Sequence, residues 1–380
     1  MNRSQVLRRA PWQNIGMSSP PQKPGTIKGR GIQSNREGRF ESTRVEAFDD
    51  GWFQEDGDPA RPATEVRLEV AKSIISENQS PDLPFDLSLN PYRGCEHGCS
   101  YCYARPSHSY LNLSAGLDFE TKLFAKTNAA QQLRQELRKR SHRVSAINFG
   151  ANTDPYQPIE RTYQITRQCL EVLLECRHPL TIITKNAMVE RDLDLLKPLA
   201  ELDLVQVFLS VTSLDNRLSA KLEPRATAPH RRIEAIRRLN AAGVPAGVFV
   251  APIIPMITDR DLEAILEAAA GAGARHASYT LIRLPHEVKD LFREWLATHF
   301  PERAEHVMHR IQDIRGGKDY DSRFFHRMKG QGVFGELIRQ RFDIACRKFG
   351  LDRREQSQLR TDLFRPPAQA GDQADLFGGG

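Results

Sequence analysis

The sequence predicts an α/β fold: an open (β/α)6 partial TIM barrel with extra C-terminal helices and disordered N- and C-terminal tails. In the middle of the chain, short β-branched runs alternate with longer amphipathic runs, which is typical of βα units around a parallel sheet. Six such units occupy roughly 215 residues, whereas a complete barrel of eight units takes about 250. Both ends of the chain are rich in Gly, Pro and polar residues, a composition that rarely forms a packed core.

The predicted strands are short apolar runs bounded by turn residues. They cover residues 85–89, 144–149, 180–184, 204–211, 244–251 and 277–284. Helical periodicity precedes five of them, in QQLRQELRKR and at 166–175, 191–201, 230–241 and 261–270. Three more helices are expected at 288–298, 302–314 and 335–349. Because active sites of β/α barrels lie at the C-terminal ends of the strands, the motifs that follow the strands are the candidate functional residues.

Four regions follow from this pattern. Residues 1–60 are predicted to be a mostly disordered basic arm, 61–285 the barrel with a cysteine loop at 90–106, 286–350 a helical extension, and 351–380 a flexible tail. The chain has a net charge of +6 and a pI of about 9.0, and its first 40 residues contain only one acid, Glu37. The arm is therefore either a solvated tail or a contact for nucleic acid.

Membrane and secreted classes are not expected. No apolar run is long enough to cross a bilayer, and no apolar stretch follows the basic N-terminal residues as it would in a secretory signal. Three of the six cysteines fall within residues 95–102, which indicates a metal site rather than a disulfide framework. A cytoplasmic location is the expectation.

The cysteine loop reads NPYRGCEHGCSYCYARP, with Cys95, Cys99 and Cys102 spaced by three and two residues. Thiolates are soft ligands that suit iron–sulfur clusters, zinc and copper(I). A complete cluster normally takes four protein ligands, and the other cysteines lie far away in helical runs. Three ligands would leave one iron open to a small molecule. The alternative is a structural zinc site with His97 or His108 as its fourth ligand.

The spacing of these cysteines, with Tyr101 before the last of them, resembles the signature of the radical S-adenosylmethionine (radical SAM) superfamily. The longer string NPYRGCEHGCSYCYARPSHSY resembles the spore photoproduct lyase-like branch, and within it uncharacterised bacterial proteins. The resemblance extends from about residue 28 to residue 350. It implies a 4Fe-4S cluster held by the three cysteines and S-adenosyl-L-methionine chelated by the open iron. It also implies reductive cleavage to a 5′-deoxyadenosyl radical, and a flavodoxin- or ferredoxin-like electron donor.

Polar residues at the other strand ends are candidate cofactor ligands. Asn152 and Asp154 follow the second strand, and the resemblance implies that this turn grips the amino group of S-adenosylmethionine. Lys185 ends the third strand and matches a lysine that contacts the methionine carboxylate, while Ser210 on the fourth strand matches a cofactor-contacting serine. Arg225 could hold a carboxylate or phosphate. The simpler alternatives are a turn, a surface lysine, a helix cap and a salt bridge to a neighbouring acid.

The substrate is not readable, although Tyr156, Tyr279 and Arg283 are candidates to face it. A spore photoproduct lyase returns hydrogen from a cysteine whose place here is Ala151, and this difference argues against that particular repair reaction. Hydrogen abstraction from an unknown substrate, with a nucleic-acid base as the sharpest hypothesis, is the predicted function. The alternative is a zinc- or iron–sulfur-stabilised nucleic-acid-binding protein without catalysis.

The C-terminal tail contains Gln373, Leu376 and Phe377 in the string QADLF. This string resembles the pentapeptide with which bacterial repair and replication proteins bind the DNA sliding clamp. It offers two apolar anchors and a polar hook on a short extended peptide. Clamp binding is therefore an expectation, although Asp-Leu-Phe also occurs at 290–292 and 362–364.

Overall fold

The computed structural model describes residues 27–36, 39–40, 62–352 and 359–368. Its strands are β1 (Glu65–Glu69), β2 (Ile75–Glu77), β3 (Leu87–Leu89), β4 (Tyr92–Arg93), β5 (Lys122–Lys126), β6 (Ile147–Phe149), β7 (Leu180–Thr184), β8 (Val205–Ser210), β9 (Ala246–Ile253) and β10 (Ala277–Leu281). Its helices are α1 (Asp118–Thr121), α2 (Ala129–Leu137), α3 (Glu160–Tyr163), α4 (Ile165–Glu175), α5 (Leu193–Glu201), α6 (Asn216–Leu222), α7 (Pro229–Ala241), α8 (Leu262–Gly271), α9 (Val288–His299), α10 (Ala304–Asp313), α11 (His326–Lys329) and α12 (Gly332–Phe349).

Six parallel strands form the barrel, in the order β3-β6-β7-β8-β9-β10. They correspond to the six predicted strands, so the predicted open barrel is confirmed. The short strand β2 pairs antiparallel with β3, and the sheet ends at β2 on one side and β10 on the other. The barrel is therefore open between these two edges. We call the C-terminal ends of its strands the mouth and their N-terminal ends the floor.

Successive side chains of a barrel strand point alternately to the packed outer face and to the more accessible inner face. Leu180 and Ile182 of β7 are fully buried, whereas the intervening Thr181 and Ile183 are half-buried. Thr181 lies in register with Asn148 of β6, and its hydroxyl donates to the Asn148 amide oxygen at 3.0 Å. The inside of the barrel is thus partly polar near the floor and open toward the mouth.

A small second sheet, in the order β1-β5-β4, supports the loop that contains the cysteines. Strand β4 directly precedes this loop, and the amide of Cys95 donates to the carbonyl of Phe119 at 3.0 Å. Sequence analysis did not predict this sheet. Strand β1 has no fully buried residue and β4 has only two residues, so neither produces a clear hydrophobic period.

Two segments assigned to tails are instead packed against the barrel, which corrects the predicted boundaries. Residues 27–36, which we call the N-terminal strap, bury Ile32 between Ala115 and Leu291. Residues 359–368 cross the floor, where the amides of Arg360 and Arg365 donate to the carbonyls of Asp203 and Cys176 at 3.0 and 2.8 Å. The strap is mostly polar, and residues 359–368 mix apolar, charged and proline residues, so neither segment shows a hydrophobic period.

The C-terminal helices pack against the last barrel units, as expected. Helix α12 lies on α8, with Arg341 bound to Glu263 at 2.6 Å. The buried Arg315 donates to the carbonyls of Ile282 and His326 at 2.6 and 2.7 Å, which fixes the segment before α11 to the end of β10. Within the described residues, no helix is long and apolar enough to span a membrane.

Candidate active site

The three predicted cluster cysteines lie together on one loop that follows β3 and β4. Cys95 and Cys99 are 7% and 8% exposed, and Cys102 is half-buried. Gly98 has a φ of +66°, and a Cβ atom there would lie 2.7 Å from the carboxylate of Glu120. Glycine at this position therefore lets the chain turn sharply between two cysteines.

Burial and nearby charges act on the three thiols of the loop. Burial raises the pKa of all three thiols, and the charges of Cys99 and Cys102 raise the pKa of Cys95 further. Lys185 opposes this effect at Cys99 and Cys102. Three sulfurs on one loop, two buried and one half-buried, form a donor set that fits an iron–sulfur cluster.

The zinc alternative names His97 or His108 as a fourth ligand. In the described part of the chain, no three His, Cys, Asp or Glu side chains are placed to hold a single metal ion. The imidazole of His97 lies 3.3 Å from the Asp154 carboxylate. The Nε2 atom of His108 lies 2.9 Å from the Lys122 carbonyl. Both rings suggested as a fourth ligand therefore already have protein partners.

A buried carboxylate, Glu223, organises the site beside the loop. It follows α6 and accepts hydrogen bonds from the hydroxyls of Tyr101 and Thr212. It also forms a fully buried ion pair with Arg232 of α7. These partners stabilise the ionised form and hold the pKa of Glu223 at about 2, although burial alone would raise it. Sequence analysis missed this network because its members lie on three separate elements.

Lys185 lies at the mouth, directly after β7. Its Nζ atom is 3.7 Å from a Glu223 oxygen and 3.3 Å from the Ala251 carbonyl. The same atom lies 5.9 Å from the ring centroid of Tyr101. A half-buried ammonium group beside the cysteine loop can bind a carboxylate.

The turn after β6 joins neighbouring strand ends. The Asp154 carboxylate accepts from the Thr184 hydroxyl at 2.6 Å and the Lys185 amide at 2.7 Å. These donors, together with His97, hold the pKa of Asp154 below its ordinary value despite its burial. The amide of Asn152 donates to Asn90 at 2.9 Å, and the Asn152 side chain is exposed. Asp154 thus holds the turn after β6 to the end of β7. Its contact with the amino group of S-adenosylmethionine stays a prediction.

The remaining predicted cofactor ligands have protein partners. Ser210 ends β8 in a buried position, and its carbonyl accepts from Arg232 at 2.8 Å. Arg225 is partly exposed and forms an ion pair with Glu96 at 2.7 Å. The salt-bridge alternative for Arg225 is therefore observed, with an acid of the cysteine loop as the partner.

Two of the three predicted substrate-facing residues do not face the interior of the barrel. Tyr156 is fully buried, and its hydroxyl donates to Asp192 at 3.1 Å. Tyr279 packs on Phe342 of α12 with a centroid separation of 4.6 Å, so it faces the outer helices. Tyr156 lies in the turn after β6 and Tyr279 on β10, and contact of either residue with substrate stays a prediction. Arg283 lies at the mouth, 4.7 Å from the ring centroid of Tyr103.

Comparison with known proteins identifies the family. Residues 89–269 match the model of the Radical SAM superfamily. This match includes the cysteine loop and the barrel strands β6, β7, β8 and β9.

The chain belongs to the radical SAM superfamily. An uncharacterized protein of Mycobacterium tuberculosis is 34% identical over 295 residues, which are 76% of this chain and 81% of the relative. A radical SAM Nalpha-GlyT isomerase of Pseudomonas phage M6 is 26% identical over 67% of this chain and 49% of the relative. Spore photoproduct lyase has the same fold, with a TM-score of 0.55 at 14% identity over 75% of this chain and 80% of that chain. This radical SAM protein is therefore an enzyme with S-adenosylmethionine-dependent radical chemistry.

Proposed function

We propose that Cys95, Cys99 and Cys102 bind a 4Fe-4S cluster whose open iron binds S-adenosyl-L-methionine. When bound, this pair supplies a 5′-deoxyadenosyl radical that abstracts hydrogen from the substrate. The observation that carries the proposal is the loop that brings Cys95, Cys99 and Cys102 together at the mouth of a radical SAM barrel. Lys185 is the proposed partner of the methionine carboxylate, and Asn152, Asp154, Ser210 and Arg225 complete the proposed cofactor site.

We further propose that the substrate is a nucleic-acid base. One support comes from two similar proteins: an Nalpha-GlyT isomerase and a spore photoproduct lyase that was solved with a dinucleoside spore photoproduct. The residue at the place of the hydrogen-returning cysteine is Ala151, whose carbonyl accepts a hydrogen bond from Tyr103. The substrate proposal therefore concerns bases in general and not the thymine-dimer repair reaction.

A second support is the distribution of exposed aromatic rings. Among the described residues, the exposed large aromatic side chains are Phe40, Tyr103, Tyr110, Phe324 and Phe325. We call this set the aromatic rim. Arginine guanidinium groups lie over three of its rings, at 4.7–5.3 Å from the centroids. Exposed rings flanked by cations are typical of surfaces that stack single-stranded bases.

Two protein partners are part of the proposal. A flavodoxin- or ferredoxin-like protein would supply the electron, and a DNA sliding clamp would bind Gln373, Leu376 and Phe377. These three residues lie outside the described residues. The proposed compartment is the cytoplasm.

Formation of 5′-deoxyadenosine tests the cofactor chemistry. Anaerobically reconstituted protein is reduced and mixed with S-adenosylmethionine, and the product is measured by chromatography. The proposal expects product and protein-bound iron in the wild type and in Cys169→Ala, whose cysteine is buried in α4. It expects neither in Cys99→Ala. Zinc in place of iron, or a cluster that never cleaves the cofactor, would favour the binding protein without catalysis.

Binding of a labelled oligothymidylate or oligouridylate of about ten nucleotides tests the substrate class. Tyr110→Ala combined with Phe324→Ala should raise the dissociation constant about fivefold or more. The matched control, Leu337→Ala with Ile344→Ala, removes exposed side chains from α12 and should leave it unchanged. Equal binding by the rim variant would contradict a stacking role.

A further inference from the structure

The N-terminal strap lies directly against the cysteine loop. A Cβ atom on Gly31 would lie 1.6 Å from the carbonyl oxygen of Gly98, and one on Gly98 would lie 3.4 Å from the amide nitrogen of Gly31. The two backbones are therefore in contact with no side chain between them. Gly98 lies between two of the cluster cysteines, so this contact covers the loop at its centre.

A buried ion pair extends this contact to a cysteine. The Glu120 carboxylate accepts from the amides of Gly31 and Ile32 at 3.0 and 3.1 Å. The same carboxylate pairs with Arg105 at 2.5 Å, and both groups are fully buried. Arg105 in turn donates to the carbonyl of Cys99 at 2.8 and 3.0 Å. The strap thus supplies two of the donors that satisfy the carboxylate beneath the loop.

A second set of contacts holds the strap through Arg30. Its guanidinium donates to the carbonyl of Pro62 at 2.7 Å and to the hydroxyl of Thr64 at 3.0 Å. Thr64 then donates to Glu96 at 2.6 Å, a residue of the cysteine loop. Farther along, the Ser34 carbonyl accepts from the Leu117 amide at 3.2 Å. Hydrogen bonds on both sides of Gly31 therefore hold the strap against the cysteine loop.

We propose that the strap shields the cysteine loop, and that its docking sets how fast solvent and reagents reach Cys95 and Cys99. Detachment of the strap would remove two hydrogen bonds from a buried carboxylate and would expose the Gly98 backbone between the cysteines. Reagents can then reach the thiols only through local opening, and weaker docking raises the population of the open state. Shielding of the thiols is independent of the proposed function. Only the expected protection of a bound 4Fe-4S cluster rests on it.

Peptide-resolved alkylation of the full-length protein tests the shield. Iodoacetamide is added to the metal-free protein, and labelling of each cysteine is followed by mass spectrometry. Gly31→Ala should accelerate labelling of Cys95 and Cys99 about fivefold or more, because the added methyl group prevents close docking. Arg30→Gln, which loosens the strap without a steric clash, should give a smaller acceleration. Labelling of Cys169 and Cys346, which are fully buried elsewhere, should stay unchanged.

Gly271→Ala is the control variant because a Cβ atom at Gly271 meets nothing within 4 Å. The proposal is overturned if both strap variants label Cys95 and Cys99 at the wild-type rate, or if Gly271→Ala accelerates labelling equally. Faster labelling of Cys169 and Cys346 as well would indicate global unfolding and would also overturn it. After reconstitution, the cluster absorbance of Gly31→Ala should fade faster in air. A wild type that forms no cluster would contradict the proposed function and leave the alkylation result standing.

Discussion

The hydroxyl of Tyr101 donates to the carboxylate of Glu223 in a buried site, although 122 positions separate the two residues. This hydrogen bond ties the cysteine loop to the end of α6. It also explains the aromatic residue before the last cysteine in physical terms, because the ring brings a hydroxyl to a carboxylate that pairs with Arg232. The cysteine loop is therefore joined to the mouth by a buried hydrogen bond.

Tyr101→Phe should lower the free energy of unfolding by about 1–2 kcal/mol, because it removes a hydrogen bond to a buried charge and keeps the ring. Urea denaturation of the metal-free protein measures this change. Tyr110→Phe serves as the control, since that ring is 72% exposed. An equal effect of the two variants would show that the Tyr101 hydroxyl contributes no special stability.

Glu223→Gln should be more damaging, by about 3–5 kcal/mol, because it leaves the Arg232 guanidinium buried without its counter-charge. The acid dependence of stability should change as well. The pKa of Glu223 is about 2 in the folded protein, below its ordinary 4.5, so its stabilisation is complete above pH 4.5. This stabilisation is lost as the pH falls toward 2. Between pH 4.5 and pH 2, the free energy of unfolding should therefore fall less in Glu223→Gln than in the wild type, as measured by denaturation at a series of pH values.

Lys185→Met should weaken S-adenosylmethionine binding about tenfold to a hundredfold, the cost of one charge-assisted contact. Isothermal titration of the reconstituted protein measures the dissociation constant. Lys197→Met, which changes an exposed lysine of α5, is the matched control. Unchanged affinity in Lys185→Met would assign the lysine to the Glu223 network alone.

The floor of the barrel should be sensitive to mild acid. The Nε2 atoms of His142 and His178 are 3.0 Å apart, and the ring of Phe364 packs on both imidazoles. Burial lowers the pKa of His142, and it lowers the pKa of His178 from 6.5 to about 4. Stability from this pair is therefore complete above pH 6.5 and is lost as the pH falls through 4.

Hydrogen exchange of residues 359–368 should consequently accelerate between pH 7 and pH 5, after correction for the intrinsic pH dependence of exchange. Phe364→Ala should accelerate it already at pH 7, because the segment loses its aromatic anchor. Residues of α9 provide the internal control. Unchanged corrected exchange at pH 5 would contradict the role of the histidine pair.

The barrel was predictable because parallel strands buried on their outer faces leave continuous β-branched runs. LTIIT, for example, coincides with β7. The position of the cysteines and Lys185 at strand ends was predictable because they directly follow apolar runs, whereas their roles stay predictions. The orientation of Tyr156 and Tyr279 was not, since it depends on which face the helices cover. The partners of Glu120 and Glu223 were not predictable either, because long-range ion pairs leave no local pattern.

The docking of residues 359–368 has a geometric consequence for the whole molecule. The described chain ends at Ala368 on the floor, at the far end of the barrel from the cysteine loop. Four residues lie between Ala368 and Gln373, so their Cα atoms are at most about 18 Å apart. A protein that bound QADLF would therefore hold the enzyme by the floor side of the barrel. The mouth of the barrel would then face away from the bound protein. The enzyme would meet only substrates close to that protein.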